Sequence, residues 1–169
     1  EYHRTRTAYL PDEQRGKQYP CYRDDLPSYR LRRFFSSVRY KECLCPNCIA
    51  NGMAASKFDG EFQDPESTDR VSNPDKLDEL IHRTPGYFGW QQEYWIAHCD
   101  DYCAFVGHVG WKELVDMGID DQIEKNYDQN LNGFDIKDVK ECMYNEGGMQ
   151  GYLFRCLHCG EHFLYVDCD

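Results

Sequence analysis

A chain of 169 residues with 41% hydrophobic and 15% aromatic content can build a packed core, which excludes wholesale disorder. Its formal charge of −11 counts against a protein that tracks nucleic-acid phosphates, because lysine and arginine supply that affinity. No run approaches the roughly 20 apolar residues of a membrane span, and Glu1-Tyr2-His3-Arg4 does not open a secretory signal, so the expected compartment is the cytoplasm.

Residues 1–33 are rich in Arg, Tyr, Pro and Asp without clear period and read as irregular structure. Residues 1–45 hold ten Lys and Arg against six Asp and Glu, a net of +4, while the rest of the chain holds nine against 24, a net of −15. The acidic part suits solubility, or attraction of a basic partner. Phe34 to Leu44 is strand-like, and Cys45-Pro46 opens a helix through Ile49, Ala50, Met53, Ala54 and Phe58, apolar at helical spacing. Asp59 to Ser72 is a polar loop containing Pro65.

Asn73-Pro74-Asp75 predicts a helix start, with Asn as cap, Pro in the first position and an early acid favoured by the helix dipole. Leu77, Leu80 and Ile81 give its buried face, and Thr84-Pro85-Gly86 stops it. Glu93 to His98 and Ala104 to Val109 then read as a hairpin whose tip is Cys99-Asp100-Asp101-Tyr102-Cys103. Trp111 to Met117 and Gln122 to Tyr127 are short helices joined at Gly118, and Asp135 caps another running to about Tyr144. The strands Tyr152 to Arg155 and His162 to Val166 flank a second turn, Cys156-Leu157-His158-Cys159-Gly160.

The two close cysteine pairs carry the first functional reading. Each pair delivers two thiolates, and Cys99, Cys103, Cys156 and Cys159 together match the four ligands of a tetrahedral Zn²⁺. Four protein ligands leave no open position, so this zinc is structural. Gly160 lets the turn take positive φ and aim backbone N–H groups at sulfur. His158 lies inside the turn but is surplus to the tetrahedral count, and His98 and His162 read as neighbours of the site or ordinary strand residues. A second Zn²⁺ would use Cys45 and Cys48 with Cys43 or Cys21. The expected fold is α+β, with zinc-ribbon-like knuckle hairpins and inserted short helices. It is one domain over 1–169, with a ribbon over 93–169 interrupted by a helical insertion over 110–149.

Cys45-Pro46-Asn47-Cys48 also supports a rival, a thiol oxidoreductase, because a helix N-terminus lowers the pKa of a leading thiol. A nucleic-acid-associated zinc ribbon using the basic N-terminal residues is another. Asp128, Asn130, Asn132 and Gly133 imitate the front of a calcium loop, but the position of its bidentate Glu is Val139. Trp90, Gln91, Gln92 and Glu93 follow the Gly-framed Tyr87-Phe88-Gly89. They read either as a recognition surface or as cover for the core, together with Trp95.

Several segments resemble the bacterial CbrC family of colicin-tolerance proteins. They are Leu44 to Gly52, Phe58 to Phe62, Arg83 to Glu93, His98 to Gly107 and Tyr152 to Gly160, an ordered set within residues 44–169. Residues 1–43 diverge, and the early Cys pair usual in that family is reduced to Cys21. The resemblance implies toxin tolerance and brings no catalytic residues. The expectation is therefore a cytoplasmic zinc protein, not an enzyme, that acts by binding a protein partner such as a basic toxin domain.

Overall fold

The computed structural model describes residues 46–91 and 93–169, and of Phe58 the backbone alone. The strand expected over 34–44, the basic segment 1–43, Cys21, Cys43, Cys45 and Gln92 lie outside the described residues. The chain divides into two compact units, one drawn from residues up to Glu66 and from Ser72–Tyr87, the other from Ser67–Val71 and Phe88–Asp169.

In the first unit, α1 (Pro46–Ala50) and α2 (Met53–Phe58) replace the single helix read from the apolar spacing. Gly52 breaks them apart at φ 77°, a left-handed conformation that costs glycine little. Ile49, Ala54, Ala55 and Phe62 form the small core here, with Cys48 packed against it. The third helix, α3 (Pro74–Arg83), begins as expected: the Asn73 side chain accepts from the Asp75 N–H at 3.0 Å and Pro74 takes the first turn. Leu80 and Ile81 are buried, and the Ile81 carbonyl accepts from the Phe62 N–H at 2.8 Å.

The second unit is mixed helix and antiparallel sheet. A two-stranded ribbon pairs β1 (Ala97–His98) with β2 (Asp101–Tyr102), and a three-stranded sheet has the order β3 (Ala104–Val109), β4 (Met149–Arg155), β5 (His162–Cys168). The expected hairpin between 93–98 and 104–109 does not form. His98 pairs with Asp101 across a two-residue turn, whereas Ala104 to Val109 pair with Arg155 to Gly151. The reason lies in the turn: Cys99 and Asp100 both take positive φ, 54° and 56°, the twist that a two-residue hairpin loop requires.

Between β3 and β4 run α4 (Trp111–Asp116), α5 (Asp120–Asn126), α6 (Gln129–Asn132) and α7 (Ile136–Cys142). Leu114, Ile123 and Val139 from these helices bury against Leu153, Leu164 and Val166 of the sheet. Tyr152 and Phe154 alternate with Leu153 and so face the other way, where the Trp95 ring meets Phe154 at 5.7 Å. Trp95 is held there by its indole N–H, which donates to the Cys103 carbonyl at 2.8 Å, and by backbone bonds to Ser67 and Asp69. With both faces covered, β4 is buried from Gln150 to Phe154.

The calcium-like stretch is a capped helical turn. Asp128 accepts from the Asn130 and Leu131 N–H groups, and the buried Asn132 amide accepts from the Val166 N–H at 2.7 Å and donates to the Asp128 carbonyl at 2.8 Å. These oxygens are spent within the fold. Asn132→Ala should therefore cost about 1–3 kcal/mol by stranding a buried strand amide, measured by urea denaturation; an unchanged midpoint would show that α6 is not what pins β5.

Candidate metal centre

The β4–β5 connection is a knuckle built by backbone bonds. The Cys156 N–H donates to the Glu161 carbonyl at 2.8 Å, the Gly160 N–H donates to the Cys156 carbonyl at 3.2 Å, and Gly160 sits at φ 79°. This curl aims the His158 N–H at the Cys156 sulfur, 3.4 Å away, as the Cys-x-x-Cys-Gly spacing predicts. Facing it is the β1–β2 turn.

The two turns together gather His98, Cys99, Cys156 and Cys159, whose ligand atoms all lie within 4.8 Å of one another. His98 Nδ1 stands 3.4 Å from Cys99 Sγ and 3.3 Å from Cys159 Sγ. Such a cluster can hold a metal ion. Three of the four expected cysteines are in it together with His98, and Cys103 is not among the clustered residues. With a two-residue turn, Cys99 occupies the tip and Cys103 falls beyond β2, where it is fully buried. Burial and the nearby charges on Cys156 and Asp69 push the Cys103 thiol far up, so it stays protonated.

His158 is not among the clustered residues. Its Nε2 lies 3.0 Å from the Asp101 carboxylate, which is buried on β2 and also accepts from the Tyr102 N–H. That pair ties one knuckle to the other. His162 is engaged by Gln122 of α5, whose side-chain oxygen meets its N–H and its ring, and burial with Arg155 nearby lowers its pKa.

Cys156 and Cys99 are shifted in opposite directions. Burial alone would raise the Cys156 thiol, but the Cys159 and His158 N–H groups and the His98 and Cys159 side chains hydrogen-bond its thiolate and bring it down to about 6. Cys99 moves the other way, to about 11, through desolvation and its proximity to Cys159 and Cys156. Cys156 is thus the more acidic of the two, and Cys99 resists ionising beside it.

The remaining candidates are dispersed. Cys48 is partly buried on α1. Its expected partners in a second metal site, or in a thiol oxidoreductase, lie outside the described residues. Around Trp90 the residues divide: Tyr87 and Trp95 are buried, whereas Phe88 is 69% and Trp90 50% exposed. Gln91 spends its side-chain amide on the Cys168 carbonyl at 2.7 Å, and Glu93 is buried with its carboxylate near the Gly89 N–H.

The pattern described as the Uncharacterised protein family (UPF0167) matches residues 17–168, and the chain belongs to this family. UPF0167 proteins of Mycobacterium bovis and Mycobacterium tuberculosis are each 38% identical over 140 residues, covering 79% of this chain and 73% of their own length. One from Pseudomonas aeruginosa is 35% identical over 125 residues, 73% of this chain and 70% of its own. No solved structure matches. The resemblance to the CbrC family is corrected accordingly. The segments that suggested it lie inside the span that the UPF0167 pattern matches, and the relatives carry that family's name.

Metal-free protein should show one thiolate appearing with a midpoint near pH 6, followed by 240 nm absorbance, and it should vanish in Cys156→Ser. Because this pKa is depressed from an ordinary value of 9.0, the metal-free fold should gain stability as pH rises from 6 towards 9. A single transition above pH 8 for all thiols would contradict the assignment.

Proposed function

We propose that the protein is a zinc-binding protein whose ion is structural, clamping two knuckle hairpins in the manner of a zinc ribbon, and that it acts in the cytoplasm by binding a protein partner. The observation that carries the zinc reading is the cluster of three sulfurs and one imidazole nitrogen within 4.8 Å. Tetrahedral zinc, with Zn–S of about 2.3 Å and Zn–N of about 2.0–2.1 Å, needs S···N edges of roughly 3.5 Å; the two S···N separations of 3.3 and 3.4 Å support that fit. Thiolates and imidazole together favour zinc over the harder Mg²⁺ and Ca²⁺.

Four protein donors fill the coordination shell, which argues for a structural ion. In this reading His98, Cys99, Cys156 and Cys159 hold zinc, and the His158–Asp101 pair keeps the two turns in register. Toxin tolerance was implied by the CbrC resemblance alone, so the partner is left to be defined by the chemistry of the surface. Among the described residues no helix is long and apolar enough to cross a membrane.

Freshly reduced protein should carry zinc, with one ion at this site, measured by native against denaturing mass spectrometry. Cys156→Ser and His98→Ala should each lose that ion and lower the melting temperature, because metal binding energy in such sites is folding energy. Cys103→Ala should keep it. Retention of full zinc content by Cys156→Ser would end the proposal, and loss in Cys103→Ala with retention in His98→Ala would replace the imidazole by a fourth thiolate.

A further inference from the structure

At the end of β4 opposite the cysteines, three exposed residues, Trp90, Tyr144 and Asp169, meet at the turn 144–148. The Trp90 indole N–H donates to the Gly147 carbonyl at 3.1 Å, which uses up its polar edge and leaves half of the residue in solvent. Tyr144, 65% exposed, closes the same turn, its carbonyl accepting from the Gly147 N–H at 2.9 Å. Asp169 donates its N–H to the Gly148 carbonyl at 3.0 Å, and a Cβ added at Gly148 would lie 3.2 Å from the Asp169 carboxylate. Exposed Glu146 lies within the turn itself.

This rim is held rigid from below. The Trp90 N–H donates to the Tyr152 hydroxyl at 3.1 Å, and that hydroxyl donates in turn to the buried Asp167 carboxylate at 2.6 Å. Asp167 also accepts from the Gln91 N–H at 3.1 Å. Two large aromatics are therefore presented to solvent on a fixed backbone, an arrangement that lowers the ordering cost of binding.

The charged side chains of the rim's own residues have one sign: Glu146 and Asp169 are exposed, Glu141 is exposed beside them in the chain, and residues 141–154 and 156–169 hold no lysine or arginine. Aromatic faces beside unpaired carboxylates in an anionic field match a cationic group. A planar guanidinium meets both demands, stacking on the ring while its N–H fork meets a carboxylate. We propose that the rim of Trp90, Tyr144, Glu146 and Asp169 docks an arginine-bearing segment of a basic partner protein. This rests on the reading that the protein acts by binding, and it names the surface and the partner's chemistry.

The test uses the full zinc-loaded chain and labelled hexa-arginine, hexa-lysine and hexa-glutamate peptides, read by fluorescence anisotropy at several salt concentrations. Hexa-arginine should bind more tightly than hexa-lysine, and hexa-glutamate should not bind. Trp90→Ala and Tyr144→Ala, which leave the charge unchanged, should each weaken hexa-arginine binding about three- to tenfold, the scale of one cation–π contact. The pair Glu146→Gln and Asp169→Asn should weaken it more than Asp116→Asn with Asp121→Asn, an equal charge change on exposed positions of α4 and α5. Equal weakening by the two charge pairs, or wild-type affinity in both aromatic variants, overturns the proposal in favour of diffuse acidity. If Trp90→Ala fails to fold, Tyr144→Ala carries the aromatic arm. Zinc content measured on the same samples separates the two readings: wild-type metal with unaltered peptide binding in the rim variants removes the docking surface and leaves the metal centre standing.

Discussion

The register of the short β1–β2 ribbon decides which side chains meet at the candidate metal centre. Two non-glycine residues in succession, Cys99 and Asp100, adopt left-handed backbone, at a cost of roughly 1–2 kcal/mol each. Two strands of two residues apiece contribute too little pairing to hold that turn by themselves. The compensation comes from outside the ribbon: the His158–Asp101 pair, the aromatic contact of His98 with Phe163 at 4.7 Å, and the ligand cluster. A metal ion bound there would select the strained turn, so turn geometry and coordination stabilise each other.

Strand β4 connects this centre with the rest of the second unit. It ends at Arg155, one residue before Cys156, and starts at Met149, one residue after the 144–148 turn. Seven residues of extended chain separate the two ends by roughly 20 Å. The buried stretch between them, from Gln150 to Phe154, is packed on one face by helix side chains and on the other by Trp95. An ion that fixes the β4–β5 knuckle thereby helps to hold the strand whose far end presents Trp90 and Tyr144. The candidate metal cluster and the exposed aromatics thus lie towards opposite ends of one strand.

The parts of this fold legible in the sequence are those fixed by local chemistry. Asn73-Pro74-Asp75 announces its helix because a side-chain acceptor, a fixed φ and an early acid act within a single turn. Cys156-x-x-Cys159-Gly160 announces its knuckle for a similar reason, since the glycine must supply positive φ immediately after the second sulfur. What was not legible is the ribbon upstream. Its five-residue tip follows from the flanking runs 93–98 and 104–109, which are both strand-like, yet β3 finds a better partner in β4, where Ala104 pairs with Arg155 and Val109 with Gly151. A clue was present in Asp100, a residue type that tolerates left-handed backbone and so marks the turn at 99–100. Placing the turn there puts His98 at its shoulder and moves Cys103 off the tip. Counting four cysteines concealed the histidine.

Exchanging a thiolate for an imidazole also alters the electrostatics. Residues 46–169 already carry a net of −15, and a fourth thiolate would add another negative charge to the centre. An imidazole in that position would bind a metal as a neutral donor, while burial keeps the Cys103 thiol protonated in the core. The backbone explains why Cys103 is better placed there: its carbonyl receives the Trp95 indole, its N–H donates to the Ile96 carbonyl, and its residue joins β2 to β3. Turning its side chain towards the cluster would disturb the contacts that seat Trp95 against Phe154. The membership of the cluster is therefore a consequence of how the sheet face is packed, and the two-residue turn is the means by which the chain reconciles that packing with bringing His98, Cys99, Cys156 and Cys159 to one point.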